Sequence, residues 1–301
     1  MAEASSRLYR GAGSLARSVG EAGLNAHEGD TAGYVSRDVE RWKHGVQSRD
    51  EDCIAEEVPI AMVYNGASFA VMMATPHDLD DFALGFSLSE GLITEPSQLL
   101  QLECHPLLEG IELAMRVTDN ANGANLATGR ERLLPGRSGC GICGTRELEN
   151  AIHHHPPVGA GITVSRNALE LAQQQLKSRQ PINLATGAVH AAAWADRDGQ
   201  ILLVREDVGR HNALDKLIGA MSRTGIDVQG GFALVTSRAS YEMVTKAASA
   251  GITLLAAISA PTALAIELAR SAGITLIGFT RPGSHNVYTH PERLHSGEPQ
   301  A

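Results

Sequence analysis

Apolar positions along this chain switch between a two-residue and a near-four-residue repeat, and the switches mark its elements. Val58–Tyr64 and Ala67–Met73 are apolar-rich runs on either side of Asn65-Gly66. That dipeptide readily takes the left-handed backbone of a tight turn, so the segment predicts a β-hairpin. Beyond Thr75-Pro76, the residues Leu79, Phe82, Phe86 and Leu88 recur at near-helical spacing within 78–90. Acidic residues fill the first turn, where the helix dipole favours them, and Gly91 follows, so an amphipathic helix is expected. Residues 111–117 read as a further strand, and 119–144 as a glycine- and asparagine-rich connection with few apolar anchors.

The second half alternates more regularly. A helix is expected over about 165–178, then two short apolar runs, 188–196 and 200–205, separated by the turn-forming residues 196–199. Helix 210–223, with Leu214, Leu217, Ile218 and Met221 at core-facing spacing, leads to strand 232–236, helix 240–250, strand 252–258, helix 261–272 and strand 274–279. Strands separated by helices of about 10–15 residues argue for a layered α/β unit with parallel neighbours and right-handed crossovers. Ligands in such sheets sit at the carboxyl ends of strands, which here are 205–207, 236–238, 259–261 and 280–282. His153-His154-His155-Pro156-Pro157 reads as a linker between the halves.

Residues 1–50 show no sustained apolar period and are read as a mobile extension, with the folded body beginning near Ile54. The expected division is therefore an extension over 1–50, a β-rich N-terminal portion over 54–152 and an α/β domain over 160–295. A chain of 301 residues, 43% hydrophobic, is long enough to be stable without disulfide staples. Its 34 acidic against 25 basic residues leave a formal charge of −9, which disfavours broad binding to nucleic acid or anionic membranes. The apolar stretch 251–265 is broken by Ser259 and Pro261 and falls short of the ~20 residues of a spanning helix. The N-terminal residues lack the apolar run of a secretory signal, and cytoplasm is the expected compartment.

Composition leaves the chemistry to a few motifs. In Ser138-Gly139-Cys140-Gly141-Ile142-Cys143-Gly144 three glycines flank two thiols, and Arg137 and Arg146 bracket them. Positive charge and glycine-freed backbone N–H groups favour the thiolate, the nucleophile of disulfide exchange and of persulfide transfer alike. On these residues alone the pair could also be two ordinary reduced cysteines, half of a zinc site still short of two ligands, or a thioredoxin-type redox motif. The run Arg205–Lys216 opens a helix straight after a strand. Its two arginines, histidine and carboxylates cap and solvate that helix on one reading and line a polar cleft on the other. Phe279–Tyr288 ends another strand; Phe279 could stack on a base, Arg281 could meet phosphate or a guanine edge, and Pro282-Gly283 could turn N–H groups outward, although a packed turn would use the same residues.

Taken in order, 138–144, 185–193, 205–216, 236–244, 258–263 and 278–289 resemble the FdhD family, sulfurtransferase accessory proteins required for active formate dehydrogenase. The resemblance spans about 54–295. It implies a cytidine-deaminase-like layered α/β domain with a smaller N-terminal β-rich portion, as a homodimer. A zinc deaminase needs His-x-Glu and a later Pro-Cys-x-x-Cys; here His190 is followed by two alanines and no cysteine occurs after 143, so no zinc site and no permanently bound metal are expected. The resemblance makes Cys140 the persulfide-carrying residue and Cys143 its partner, with sulfur arriving from a cysteine desulfurase. It implies delivery to a bis(molybdopterin guanine dinucleotide) cofactor for formate dehydrogenase, with Phe279, Thr280, Arg281, Pro282, Gly283 and Ser284 contacting the guanine dinucleotide end. Ser284 stands where a basic residue is more often expected. A chaperone that binds the cofactor without covalent transfer, and a structural zinc module, are the rival readings.

Overall fold

The computed structural model describes residues 17–18, 33–124 and 156–296. They form two large sheets joined through one helix pair, a protruding two-stranded ribbon and a short parallel two-stranded pair. The ribbon comprises β2 (Tyr34–Lys43) and β3 (Val46–Ala55), and a five-stranded sheet contains β1 (Arg17–Ser18), β4 (Val58–Tyr64), β5 (Ala67–Ala74), β6 (Leu99–Pro106) and β7 (Ile111–Val117) in the order β1-β6-β7-β4-β5. The expected hairpin is β4–β5, and both turn residues, Asn65 and Gly66, have positive φ, 48° and 81°. Ile60, Met62 and Tyr64 alternate along β4 and are fully buried, so one face of this sheet makes a core with α1 (Leu79–Ser89) through Phe82 and Phe86. Strand β6 lies where no element was expected; Leu102 and Cys104 are only half-buried, so its apolar alternation is weak.

The larger portion follows. After β8 (Val164–Ser165) and the helices α2 (Arg166–Ser178) and α3 (Pro181–Thr186) come β9 (His190–Asp196), β10 (Ile201–Asp207) and α4 (Arg210–Thr224). The chain then alternates through β11 (Gly231–Val235), α5 (Tyr241–Ser249), β12 (Leu254–Ala257), α6 (Ala263–Ala272) and β13 (Thr275–Arg281), and ends with β14 (Ser284–Val287) and β15 (Leu294–His295). The six-stranded sheet runs β10-β9-β11-β12-β13-β14. The parallel pairing expected for strands separated by helices holds for β11, β12 and β13; β9, β10 and β14 join antiparallel, with short turns, not helices, connecting β9 to β10 and β13 to β14. Alternate residues of each strand face opposite layers. Trp194, Val235 and Leu255 pack under α4, α5 and α6, whereas Ala193, Phe232 and Leu254 pack against α2. This is the layered α/β architecture with a smaller β-rich N-terminal portion.

Residues 34–50 depart from the extension expected there. They pair with 51–55 in a ten-pair antiparallel ladder turned by His44 and Gly45, φ 51° and 81°. Polar residues occupy most positions on both faces, so the two-residue apolar alternation that reveals a half-buried strand is missing. Residues 125–155, which include the CxxC loop and the three histidines, lie outside the described residues.

The two portions meet where α1 crosses α4. A Cβ at Gly85 would stand 1.7 Å from the Asp215 carbonyl oxygen, and one at Gly219 would stand 1.9 Å from the Asp81 carbonyl oxygen. Backbone therefore touches backbone at this crossing. Two buried ion pairs flank it. Lys216 Nζ lies 2.6 Å from Asp207, both fully buried, and also donates to the Thr75 carbonyl at 3.0 Å; Lys246 Nζ lies 2.9 Å from Asp215 and 2.6 Å from Glu90. Burial alone would drain the proton from Lys246, but the charges of Asp215 and Glu90 more than reverse this and hold it charged. Gly219→Ala is expected to lower folding stability by about 3 kcal/mol or more, because backbone and not a flexible side chain blocks the new methyl group. A urea unfolding midpoint equal to wild type would contradict this.

Candidate functional site

Strand direction gathers the chemistry at one edge. His190 opens β9 directly opposite Asp207, which closes β10, and Ala192 of β9 faces Val235, which closes β11. β12 and β13 run parallel to β11, so their carboxyl ends share that edge. The chain extends the edge past the regular strands: Ile258 donates to the Val235 carbonyl at 2.9 Å, Phe279 to the Ser259 carbonyl at 3.1 Å, and Thr262 to the Ala239 carbonyl at 3.0 Å. Helices α4, α5 and α6 all begin here, directing the positive ends of their dipoles to the same border. Thr262 caps α6 by accepting from the Ala265 N–H at 3.3 Å. Ser240 stands at the cap position of α5 but makes no such bond, and its Oγ is buried with no hydrogen-bond partner among the described residues.

The segment 279–284 forms the outer corner of this edge. Phe279 bears a side chain at φ 52° and is 38% exposed, an uncommon and costly backbone state for an aromatic residue. Its neighbour Gly278 is wedged so closely that a Cβ there would stand 2.7 Å from Pro261 Cδ and 3.1 Å from Tyr288. Thr280 is buried, and its Oγ1 has no hydrogen-bond partner among the described residues. Arg281 pairs with Ser284 across a turn in which Pro282 presets one φ and Gly283 takes φ 72°; all four residues are exposed. Pro282 and Gly283 therefore form the hairpin tip between β13 and β14, a strand pair the sequence reading did not include. The signal available was the Pro-Gly dipeptide itself.

The run 205–216 divides by role. Arg205 binds Asp81 at 2.7 Å, and Glu206 accepts from the N–H groups of Ile182 and Asn183 at 3.0 and 2.8 Å, anchoring the start of α3. Burial raises the Glu206 carboxyl against the lowering effect of those two N–H groups. Asp207 accepts from Thr75 N–H at 3.0 Å, Gly209 N–H at 2.7 Å and Asn212 Nδ2 at 2.9 Å besides its pair with Lys216. These residues pin the two portions together. Arg210 and His211 remain at the border: Arg210 Nε is buried without a hydrogen-bond partner among the described residues, and His211 Nε2 lies 2.7 Å from Glu242 Oε2. His190, Ser240 and Glu242 lie inside segments 185–193 and 236–244, which carry the family resemblance, yet spacing along the chain did not single them out; the sheet brings them to this border.

Cys140 and Cys143 lie outside the described residues. The described thiols offer no substitute at neutral pH in Cys104, whose acidity burial, aided by Asp80, weakens to about 11. Among the described residues no three His, Cys, Asp or Glu side chains are placed to hold a metal ion, and no helix is long and apolar enough to cross a membrane.

The sequence model of the FdhD/NarQ family matches residues 55–295. The chain belongs to the FdhD/NarQ family. A relative named sulfur carrier protein FdhD from Xanthomonas euvesicatoria pv. vesicatoria is 54% identical over 265 residues, 88% of this chain and 94% of the relative. One of the same name from Cupriavidus necator is 52% identical over 256 residues, 85% of this chain and 88% of the relative. The crystal structure of a candidate formate dehydrogenase accessory protein from Desulfotalea psychrophila shares the fold at TM-score 0.68 and 22% identity, covering 87% of this chain and 99% of its own. In this FdhD/NarQ member, the environment of His190 opposes charge. Burial lowers its proton affinity most, the charges of Arg210 and His211 lower it further, and Asp207 opposes them in part. Protonation therefore disfavours the folded state. Stability is full above the ordinary imidazole value near 6.5 and falls as pH drops below it, until the lower folded value of His190 is reached. His190→Gln should flatten the thermal stability profile between about pH 7 and pH 5; a profile as steep as wild type would contradict the assignment.

Proposed function

We propose that the chain is a sulfur carrier that loads a persulfide on Cys140 and delivers its outer sulfur to a bis(molybdopterin guanine dinucleotide) cofactor destined for formate dehydrogenase. The observation that carries this reading is the shared border of three helix starts and the strained Phe279–Ser284 corner, in a chain whose half-identical relatives are named sulfur carriers. An exposed aromatic ring suits a purine base, Arg281 suits a guanine edge or a phosphate, and converging N-terminal helix dipoles suit a pyrophosphate. Formate dehydrogenase enters through the description of the structural neighbour. A cytoplasmic setting, where thiols stay reduced, suits the chemistry.

Loading is a thiolate exchange. Cys140 thiolate attacks the outer sulfur of a cysteine desulfurase persulfide; the new S–S bond forms as the old one breaks, and the desulfurase cysteine leaves as thiolate. The outer sulfur now resides on Cys140. Its release as sulfide cleaves that S–S bond with two electrons, which a reduced metal in the substrate would supply, and Cys140 returns to thiolate. Cys143, three residues away in sequence, is the partner thiol of Cys140 in this reading.

Incubation with a cysteine desulfurase and cysteine should add the mass of one sulfur at Cys140, and Cys140→Ala should gain none. A wild-type chain that restores formate dehydrogenase without ever carrying the adduct would favour the chaperone reading instead. For the corner, Phe279→Gly relieves the left-handed backbone while removing the ring. It should leave thermal stability unchanged or higher and weaken GDP binding about tenfold, read by titration calorimetry. Undiminished binding would remove Phe279 from the site.

A further inference from the structure

The five-stranded sheet makes its core with one face. Alternation along β4 turns Ile60, Met62 and Tyr64 inward onto α1 and places Pro59, Ala61 and Val63 on the opposite face. On the edge strand β5, Met73 stands opposite Pro59 and Val71 opposite Ala61, so both share that outer face, 48% and 55% exposed. The turn between β6 and β7 lies against the start of this apolar lane, because a Cβ at Gly110 would stand 2.2 Å from the Pro59 carbonyl oxygen. That turn adds Leu107 and Leu108, 49% and 70% exposed. Exposed apolar side chains scattered singly need no explanation, but a lane of them rimmed by charge marks a contact surface.

The rim is acidic. Glu57 precedes β4 in phase with Pro59, Glu109 sits in the turn beside Leu108, and Glu112 of β7 stands opposite Ala61. Glu103 follows on β6, where His105 lies between it and Glu112 at 3.0 and 3.3 Å. Arg116, opposite Gln101, brings positive charge to the far end of the face.

We propose that this face docks a partner protein through an apolar segment flanked by lysine or arginine. Charge complementarity selects the occupant: basic flanks meet the carboxylates while apolar side chains cover Val71, Met73 and the leucines of the turn. A second copy of the chain would set acidic rim against acidic rim, and an anionic membrane would be repelled. The place in the fold suits a partner that works at the sheet border, since Asn212 in the first turn of α4 donates to the Met73 carbonyl at 2.8 Å. One hydrogen bond thus joins the lane to the helix that carries Arg210 and His211. Docking here does not depend on sulfur transfer. A lane of this size makes a small interface, so the complex is transient and weakens with salt.

Fluorescence anisotropy tests this with the full chain and two labelled peptides, Lys-Lys-Leu-Val-Leu-Leu-Lys-Lys and the same apolar core flanked by glutamate. Circular dichroism confirms the fold of each variant. The lysine-flanked peptide should bind with a Kd of about 100 μM, about tenfold tighter than its counterpart, and weaken as salt rises. Val71→Thr with Met73→Gln removes apolar surface without adding charge and should weaken that binding about fivefold. Glu57→Lys with Glu109→Lys should weaken it as much and strengthen the glutamate-flanked peptide instead. Hydrogen–deuterium exchange with the lysine-flanked peptide should slow over 57–63, 70–74 and 106–112. No preference for lysine flanks, binding untouched by either variant, or slowing confined to other segments would each overturn the proposal. So would a wild-type dimer that Val71→Thr with Met73→Gln dissolves in sedimentation velocity, which gives the face to a second copy, or capture of wild type but not this variant by phosphatidylcholine vesicles, which gives it to a membrane.

Discussion

The contact on which the rest depends is the crossing of α1 over α4, where Gly85 and Gly219 let two helix backbones touch. Side chains larger than hydrogen at either position would separate the five-stranded sheet from the six-stranded one. Close approach also brings Asp207, Lys216, Asp215 and Lys246 into the seam, where water cannot solvate them. Buried charges of this kind contribute little net stability against apolar residues of equal size, yet leaving one unpaired is severely destabilising. The seam therefore has one low-energy arrangement, in which each lysine meets its own carboxylate.

That arrangement fixes the border proposed to meet the substrate. Lys216 ties the end of β10 to Thr75 at the start of the α1 region, and Asp207 sets the first turn of α4 through Gly209 and Asn212. With α4 held, Arg210 and His211 face the same edge as the uncapped start of α5 and the strained corner at Phe279. Unsatisfied buried polar atoms are rare in folded proteins. Among the described residues, such atoms on Arg210, Ser240 and Thr280 occur at the end of the sheet where a polar ligand would supply partners. Strain and orphaned donors on a rigid frame are the features of a binding edge prepared before its ligand arrives.

Much of this was legible in the sequence, and the exceptions have physical causes. Amphipathic helices and the hairpin at Asn65-Gly66 announced themselves because their apolar faces are buried at the expected period. The ribbon over 34–55 did not, since a strand exposed on both faces has no apolar period to read. The motif 205–216 carried two meanings at once: Arg205, Glu206, Asp207 and Lys216 hold the fold, whereas Arg210 and His211 reach the edge, and spacing along a chain cannot separate the two. Phe279–Ser284 was visible as a strand end with a Pro-Gly turn, but the positive φ of Phe279 and the orphaned hydroxyl of Thr280 emerge only when β12 and β13 lie side by side. Cys140 and Cys143 rest on sequence and family alone.

The central claim is that the guanine dinucleotide end of the substrate seats at the carboxyl edge of the six-stranded sheet. Hydrogen–deuterium exchange of the full chain with and without saturating GDP tests it most directly. Slower exchange over 236–241, 258–263 and 278–289, with the opposite edge at 196–200 and 226–231 unchanged, is the result expected. Protection confined to that opposite edge, or none at saturation, would contradict the account.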